Sequence, residues 1–224
     1  MRGMGQEGLV TAEWIWRTRA EAGRELARLL RRKQELRQEL HQPITVVGVA
    51  EAGLPVAAAV ATELELPLAR WTVRRLTVPE QTGRGCGALA PGGVEVWNEA
   101  TALPLGLAAG SLGREELVAR HHLSLRAAMA NDSPATALRG RRLLVVDDAI
   151  VGGATMVAAL ASLRRLEAKE VSVAVPLATP AGLARLALVP QRLTVLRTLE
   201  LPQRPATGYG GGPGYGADSA SSSR

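Results

Sequence analysis

Residues 143–155 read LLVVDDAIVGGAT. The four apolar residues from Leu143 to Val146 form the run expected of a strand buried on both faces. Asp147 and Asp148 stand at its carboxyl end, and the small-residue turn Val151-Gly152-Gly153-Ala154-Thr155 opens a helix. In open α/β sheets, ligands bind beyond the carboxyl ends of the strands. Backbone N–H groups at a helix start suit a phosphate dianion, and glycines let the backbone approach it closely. Thr155 adds a hydroxyl donor in the first helical turn. Two adjacent carboxylates above that cradle can accept hydrogen bonds from vicinal hydroxyls, so the stretch fits a diol carrying a phosphate, as in a ribose 5-phosphate.

The flanking chain alternates strands and helices. ITVVGV (Ile44–Val49) predicts another buried strand, followed by a loop Ala50-Glu51-Ala52-Gly53 and an Ala-rich helix over 54–64. Strands are expected at 70–73, Val94–Trp97, Arg142–Val146, 171–176 and 193–197, with Pro176 closing the fourth of these. Helices are expected at 18–40 (ended by Pro43), 114–130, 155–166 and Pro180–Leu186. The glycine- and proline-rich segment 77–93 reads as a mobile loop or a two-stranded flap. This alternation predicts an α/β fold, a parallel sheet with helices on both faces. The organisation expected is an N-terminal extension (1–16), one domain (17–202) and a disordered Gly/Ser/Tyr tail (203–224).

Composition narrows the function classes. The 224 residues are 46% hydrophobic, enough for a core, but only 3% aromatic with no Phe, which argues against a base-stacking RNA module. One cysteine rules out a disulfide framework and a multi-cysteine zinc site. His121 and His122 are adjacent on a helix and face different directions, which argues against joint metal ligation. Cys86 lies in the Gly-rich segment near Arg84, a setting that lowers a thiol pKa, although a lone loop cysteine is more often incidental. The four tryptophans, Trp14, Trp16, Trp71 and Trp97, read as packing or flap contacts, the first two with base stacking as an alternative. No apolar run reaches the ~20 residues of a membrane span, and no secretory h-region opens the chain, so a cytoplasmic protein is expected. The net charge of +6, carried almost wholly by arginine, suits an anionic partner without choosing one. Nucleic acid is the weakest choice because it rests on charge alone.

The pattern LLVVDDAIVGGAT resembles the phosphoribosyl-diphosphate signature of type I phosphoribosyltransferases: an apolar strand, two acids and a Thr/Gly-rich turn. VVGVAEAGLPV (46–56) is similar to that family's pyrophosphate-binding strand, loop and helix. A narrower resemblance, to predicted bacterial phosphoribosyltransferases, rests on three features. These are the RxxAGxxLA helix Arg19-Ala20-Glu21-Ala22-Gly23-Arg24-Glu25-Leu26-Ala27, the pair Arg74-Arg75 before Pro79 and Gly87-Ala88, and Pro176. It spans about residues 17–202. It implies a Rossmann-like fold of the type I phosphoribosyltransferase kind with a small flap, and a homodimer is common in the family. It also implies Mg²⁺-dependent transfer of ribose 5-phosphate between phosphoribosyl diphosphate and a nitrogenous base. By position, Asp147 and Asp148 would hold the ribose hydroxyls, with Mg²⁺ reached through water or those hydroxyls. Val151, Gly152, Gly153, Ala154 and Thr155 would hold the 5-phosphate. Ala52 and Gly53 would line the pyrophosphate loop, and Arg74 or Arg75 would neutralise departing diphosphate.

Three departures from the family's pattern bear on activity. Gly152 stands where the turn usually carries Thr, removing one hydroxyl donor worth about 1 kcal/mol. Glu51 stands where the bacterial branch it resembles has Arg; it either binds Mg²⁺ or points away. Thr82-Gly83 replaces a Pro-Glu pair of the relatives. The alternative these departures support is a catalytically degenerate protein on the same fold that binds a nucleoside monophosphate or sugar phosphate as a regulator or scaffold.

Overall fold

The computed structural model describes residues 15–32, 44–78, 85–189 and 192–199. The expected tail, most of the N-terminal extension, the second half of the first predicted helix with Pro43, and Pro79, Thr82, Gly83 and Arg84 lie outside the described residues.

Every residue of β1 (Ile44–Val49) is buried, as its run of β-branched residues around Gly48 predicts. It lies parallel between β2 (Leu68–Trp71) and β6 (Arg142–Val146), with Val46 opposite Leu68 on one side and Leu144 on the other. β6 pairs with β8 (Glu170–Ala178), and β9 (Arg192–Thr198) takes the far edge of β8, also parallel. The order across the sheet is therefore β2-β1-β6-β8-β9. The chain reverses its direction of growth between β1 and β6, which makes the carboxyl ends of those two strands the topological switch point.

β8 is longer than expected and does not stop at Pro176. β6 pairs with its first five residues, and the two-residue strand β7 (Ala149–Ile150) pairs with Leu177 and Ala178. Proline has no N–H to give a ladder. The β6–β7 edge breaks at Val175 and Pro176, and in that break sit Asp147 and Asp148.

Alternation along the strands divides the core in two. Val46, Leu144, Val146 and Ala174 face α1 (Arg19–Arg32) and α2 (Ala50–Leu64). Val47, Val49, Val145 and Val173 face α6 (Ala154–Arg164), with Met156, Ala159, Leu160 and Leu163 packed against them. In α1, Ala22, Gly23, Leu26 and Ala27 are all buried at the i, i+1, i+4, i+5 spacing of one helix face. A Cβ at Gly23 would lie 2.6 Å from the Val56 carbonyl oxygen and 2.8 Å from the Ala59 Cβ, so glycine is what lets α1 cross α2 this closely.

The segment expected as a loop or two-stranded flap is instead a three-stranded antiparallel sheet: β3 (Arg74–Thr77), β4 (Gly85–Ala90) and β5 (Val94–Trp97). It has a core on each face. Ala88, Ala90 and Val94 pack on α6, while Leu76, Cys86 and Leu89 pack on α4 (Leu112–Met129) through Leu117 and Leu125. The register moves from Leu76–Gly87 to Thr77–Gly85, so Cys86 is an extra residue, a β-bulge. The bulge places Cys86 on the same side as Leu89. The short helices α3 (Glu99–Ala102) and α5 (Ala135–Leu138), and α7 (Pro180–Leu186), complete the fold.

Candidate active site

Two helices begin at the switch point, and neither has a side-chain cap. α2 starts at Ala50, directly after β1, with Val49 as its N-cap. The expected loop Ala50-Glu51-Ala52-Gly53 is therefore the first turn of a helix. This turn nevertheless keeps the property for which the loop was singled out, because the first four N–H groups of a helix have no intrahelical acceptor. α6 starts behind Gly153, whose φ of 74° is open to glycine at little cost. Its uncapped N-terminus includes Ala154 and Thr155. By contrast, α4 and α7 are capped by the side chains of Ser111 and Thr179. A Cβ at Gly152 would meet nothing within 4 Å, so the space in front of the second turn is open.

Between these helix starts lie the two aspartates, each only 4% exposed. The Asp148 N–H donates to Asp147 Oδ1 at 2.8 Å, and Arg19 Nε donates to Asp148 Oδ2 at 2.9 Å. The acids are thus not the open acceptors that the sequence suggested. Asp148 is part of a buried ion pair with α1, which explains why the arginine stands first in the RxxAGxxLA pattern. Burial pushes the Asp147 carboxyl well above the usual aspartate range, and the neighbouring Asp148 charge pushes it further. Asp148 is raised by the same burial and pulled back by Arg19. A carboxylate offers about four acceptor positions, so both acids can keep these partners and still accept ligand hydroxyls. Gly53 supplies the clearance: a Cβ there would stand 2.5 Å from Asp147 Oδ1.

Of the two expected cations, Arg74 reaches the start of α2. Its Nη1 is 3.8 Å from Glu51 Oε1, and the Glu51 side chain is 71% exposed. Glu51 therefore leans outward toward Arg74. Arg75 lies instead over Gly85 on the small sheet. The sequence reading missed Arg19 and Arg185 as site residues. Arg185, on α7, reaches the carbonyl of Gly152 at 3.4 Å and that of Trp97 at 2.6 Å. Only the Arg19 motif hinted at either of them.

Cys86 is fully buried and donates its S–H to the Leu76 carbonyl at 3.3 Å. Burial raises its thiol pKa, opposite to the activated thiol its neighbouring arginine suggested, so it is a core residue. His121 accepts from or donates to backbone of α4 and β3 and plays no part at the switch point. Among the described residues, no group of three or more His, Cys, Asp or Glu could hold a metal ion. Of the carboxyls at the switch point, Asp147 and Asp148 are the ones that could reach a magnesium ion, through water or a ligand's hydroxyls. No helix among the described residues is long and apolar enough to cross a membrane.

Residues 93–189, from the small sheet to α7, match the phosphoribosyl transferase domain family. Two Mycobacterium tuberculosis proteins, "Putative phosphoribosyl transferase MT0597" of strain CDC 1551 / Oshkosh and "Putative phosphoribosyl transferase Rv0571c" of strain H37Rv, are each 33% identical over 200 residues. That alignment takes in 88% of this chain but 42% of each relative, so the chain spans less than half their length. The crystal structure of TT1426 from Thermus thermophilus superposes with a TM-score of 0.60 at 27% identity, over 87% of this chain and 89% of that one. The acid pair and the glycine turn that follows it stand at the switch point, where open α/β sheets bind their ligands. Within that kind of fold, the chain is similar to the phosphoribosyl transferase family, whose domain its residues 93–189 match.

Proposed function

We propose that the switch point binds phosphoribosyl diphosphate with Mg²⁺ and transfers its ribose 5-phosphate to a nitrogenous base, or runs the reverse reaction. The observation that carries this reading is the pair of uncapped helix starts, α2 and α6, flanking Asp147 and Asp148. A ligand with anionic groups at both ends and a diol between them matches that arrangement in charge and order. The N–H groups around Gly152 to Thr155 take the 5-phosphate, and those of Ala52 and Gly53 take the diphosphate. Asp147 and Asp148 accept from the ribose hydroxyls and hold the sugar in register.

The chemistry needs no protein nucleophile. The bond from the sugar to diphosphate breaks, a bond from the base nitrogen forms, and positive charge develops on the sugar ring between these events. Magnesium, when bound, would neutralise part of the departing diphosphate's charge. The helix N-termini add fixed positive ends aimed at the same oxygens. The buried acids lie on the sugar side, where their hydrogen bonds to the ribose hydroxyls hold the ring while the cation develops. Arg74 supplies a further cation beside α2.

The proposal is tested by incubating the protein with phosphoribosyl diphosphate, Mg²⁺ and a panel of purine and pyrimidine bases, and following diphosphate release. Base-dependent release is expected; hydrolysis alone, or none with every base, contradicts transfer. The Glu51–Arg74 ion pair favours a second reading, binding without transfer, because it gives the diphosphate-side cation an internal partner. Calorimetric binding of a nucleoside monophosphate but not of phosphoribosyl diphosphate would select that reading.

A further inference from the structure

We infer that Arg185 is a positioning residue for the phosphate turn, fixing Gly152 and Gly153 from behind and tying them to the small sheet. The inference rests on the reading of that turn as the 5-phosphate cradle.

α7 is docked on the segment leading into the turn along one helix face. Thr179 N–H donates to the Ile150 carbonyl at 2.9 Å, and its hydroxyl donates to the Val151 carbonyl at 2.6 Å. One turn on, a Cβ at Gly182 would stand 2.6 Å from the Ile150 carbonyl oxygen and 2.7 Å from that of Val151, so only glycine allows this approach. A further turn on, Arg185 lies against Gly153: the position a Cβ would take there is 3.1 Å from the Arg185 Cδ and 3.2 Å from its Cβ. Thr179 and Gly182 thus hold residues 150 and 151, and Arg185 meets Gly152 and Gly153.

The guanidinium then bonds to two carbonyls. Nη1 faces the Gly152 oxygen at 3.4 Å, and Nη2 donates to the Trp97 oxygen at 2.6 Å. Trp97 ends β5 and is itself held from the other side, with the Arg114 guanidinium 4.0 Å from its ring centroid and Arg114 paired to Glu99 at 2.9 Å. An arginine fork can bind two acceptors in a fixed geometry, which a point-charge ammonium cannot. Gly152 and Gly153 are the most freely rotating pair a turn can have, and ordering them on ligand binding costs backbone entropy. An anchor on the carbonyl of Gly152 holds the peptide planes so that the N–H groups on the opposite side stay directed at the anion. Arg185 therefore acts through the turn and does not itself take the phosphate.

The experiment compares the full chain with Arg185→Met and Arg185→Lys. Calorimetry with ribose 5-phosphate reads the turn, and inorganic diphosphate with Mg²⁺ reads the start of α2. For Arg185→Met, ribose 5-phosphate affinity should fall about tenfold, the size of one lost hydrogen bond, while diphosphate affinity stays within twofold. Arg185→Lys should recover the loss only in part. Thermal midpoints taken alongside confirm that each variant is folded. Unchanged ribose 5-phosphate affinity in a folded Arg185→Met variant overturns the role given to Arg185 and leaves the site intact. An equal loss for both ligands also overturns it, since a general loosening of the fold would do the same. Failure of the unaltered protein to bind ribose 5-phosphate would remove the cradle, and the inference with it.

Discussion

Asp147 is buried beside an arginine that is bonded to Asp148 instead, and the fold carries that cost. Its carboxyl is raised well above 3.8, so the folded protein keeps a proton that the unfolded chain has already released. Between the ordinary value and the raised one, the native state binds more protons, and stability falls as pH rises through that window. Asp147→Asn should remove this fall. Its thermal midpoint at pH 7 should rise by roughly 2–4 °C for each kcal/mol recovered, while ligand binding is lost. A variant that melts lower at pH 7 would contradict the account of Asp147. Asp148 differs because Arg19 partners it. Arg19→Met leaves a buried acid without its cation and should cost roughly 3 kcal/mol in urea denaturation, the low end for a broken buried pair because Arg19 is partly exposed. Glu51→Gln removes an exposed pairing worth under about 1 kcal/mol, so stability should hardly change. It frees Arg74, and diphosphate affinity should rise severalfold in the same titration used for the unaltered protein; a fall would mean that Glu51 serves the metal.

At the scale of elements, the site depends on how closely α1 and α2 approach each other and the sheet. Gly23→Ala sets a methyl against backbone and a small side chain, neither of which can yield by rotation. An overpacking cost of about 1–3 kcal/mol is expected, and since Arg19 rides on α1, ligand affinity should fall too. A stability loss with unchanged affinity would separate the crossing from the site. The same elements show what could be read from sequence. β6 and α7 stand at the bounds the sequence predicts, Arg142–Val146 and Pro180–Leu186, because an apolar run and a Thr-Pro start are local signals. The start of α2 departs from the expected loop because Gly53 is small in order to pass Asp147, not to make a turn. The small sheet exceeds the expected flap because its glycines serve a bulge and a close approach, Gly87 against the Val96 carbonyl, rather than mobility. The sequence does not place Arg19 and Arg185 at the site, because their partners are 129 and 33 or 88 residues away and no periodic pattern encodes such a distance.

For the molecule as a whole, the strand order puts β1 and β6 side by side with their helices leading away on opposite faces of the sheet. Two helix starts and two acids therefore meet at one edge although they come from segments about a hundred residues apart. The fold class followed from alternation alone, and the aspartate pair and glycine turn were found where ligands of such sheets bind. What the linear pattern did not convey was that the acids are enclosed and one is already paired. The most direct measurement is titration calorimetry of phosphoribosyl diphosphate with Mg²⁺ into the unaltered protein and into Asp147→Asn/Asp148→Asn. The account predicts saturable one-site binding to the first, and at least a hundredfold weaker binding to a variant that remains folded, as expected if two charged hydrogen bonds are lost. Equal binding by both proteins would contradict it.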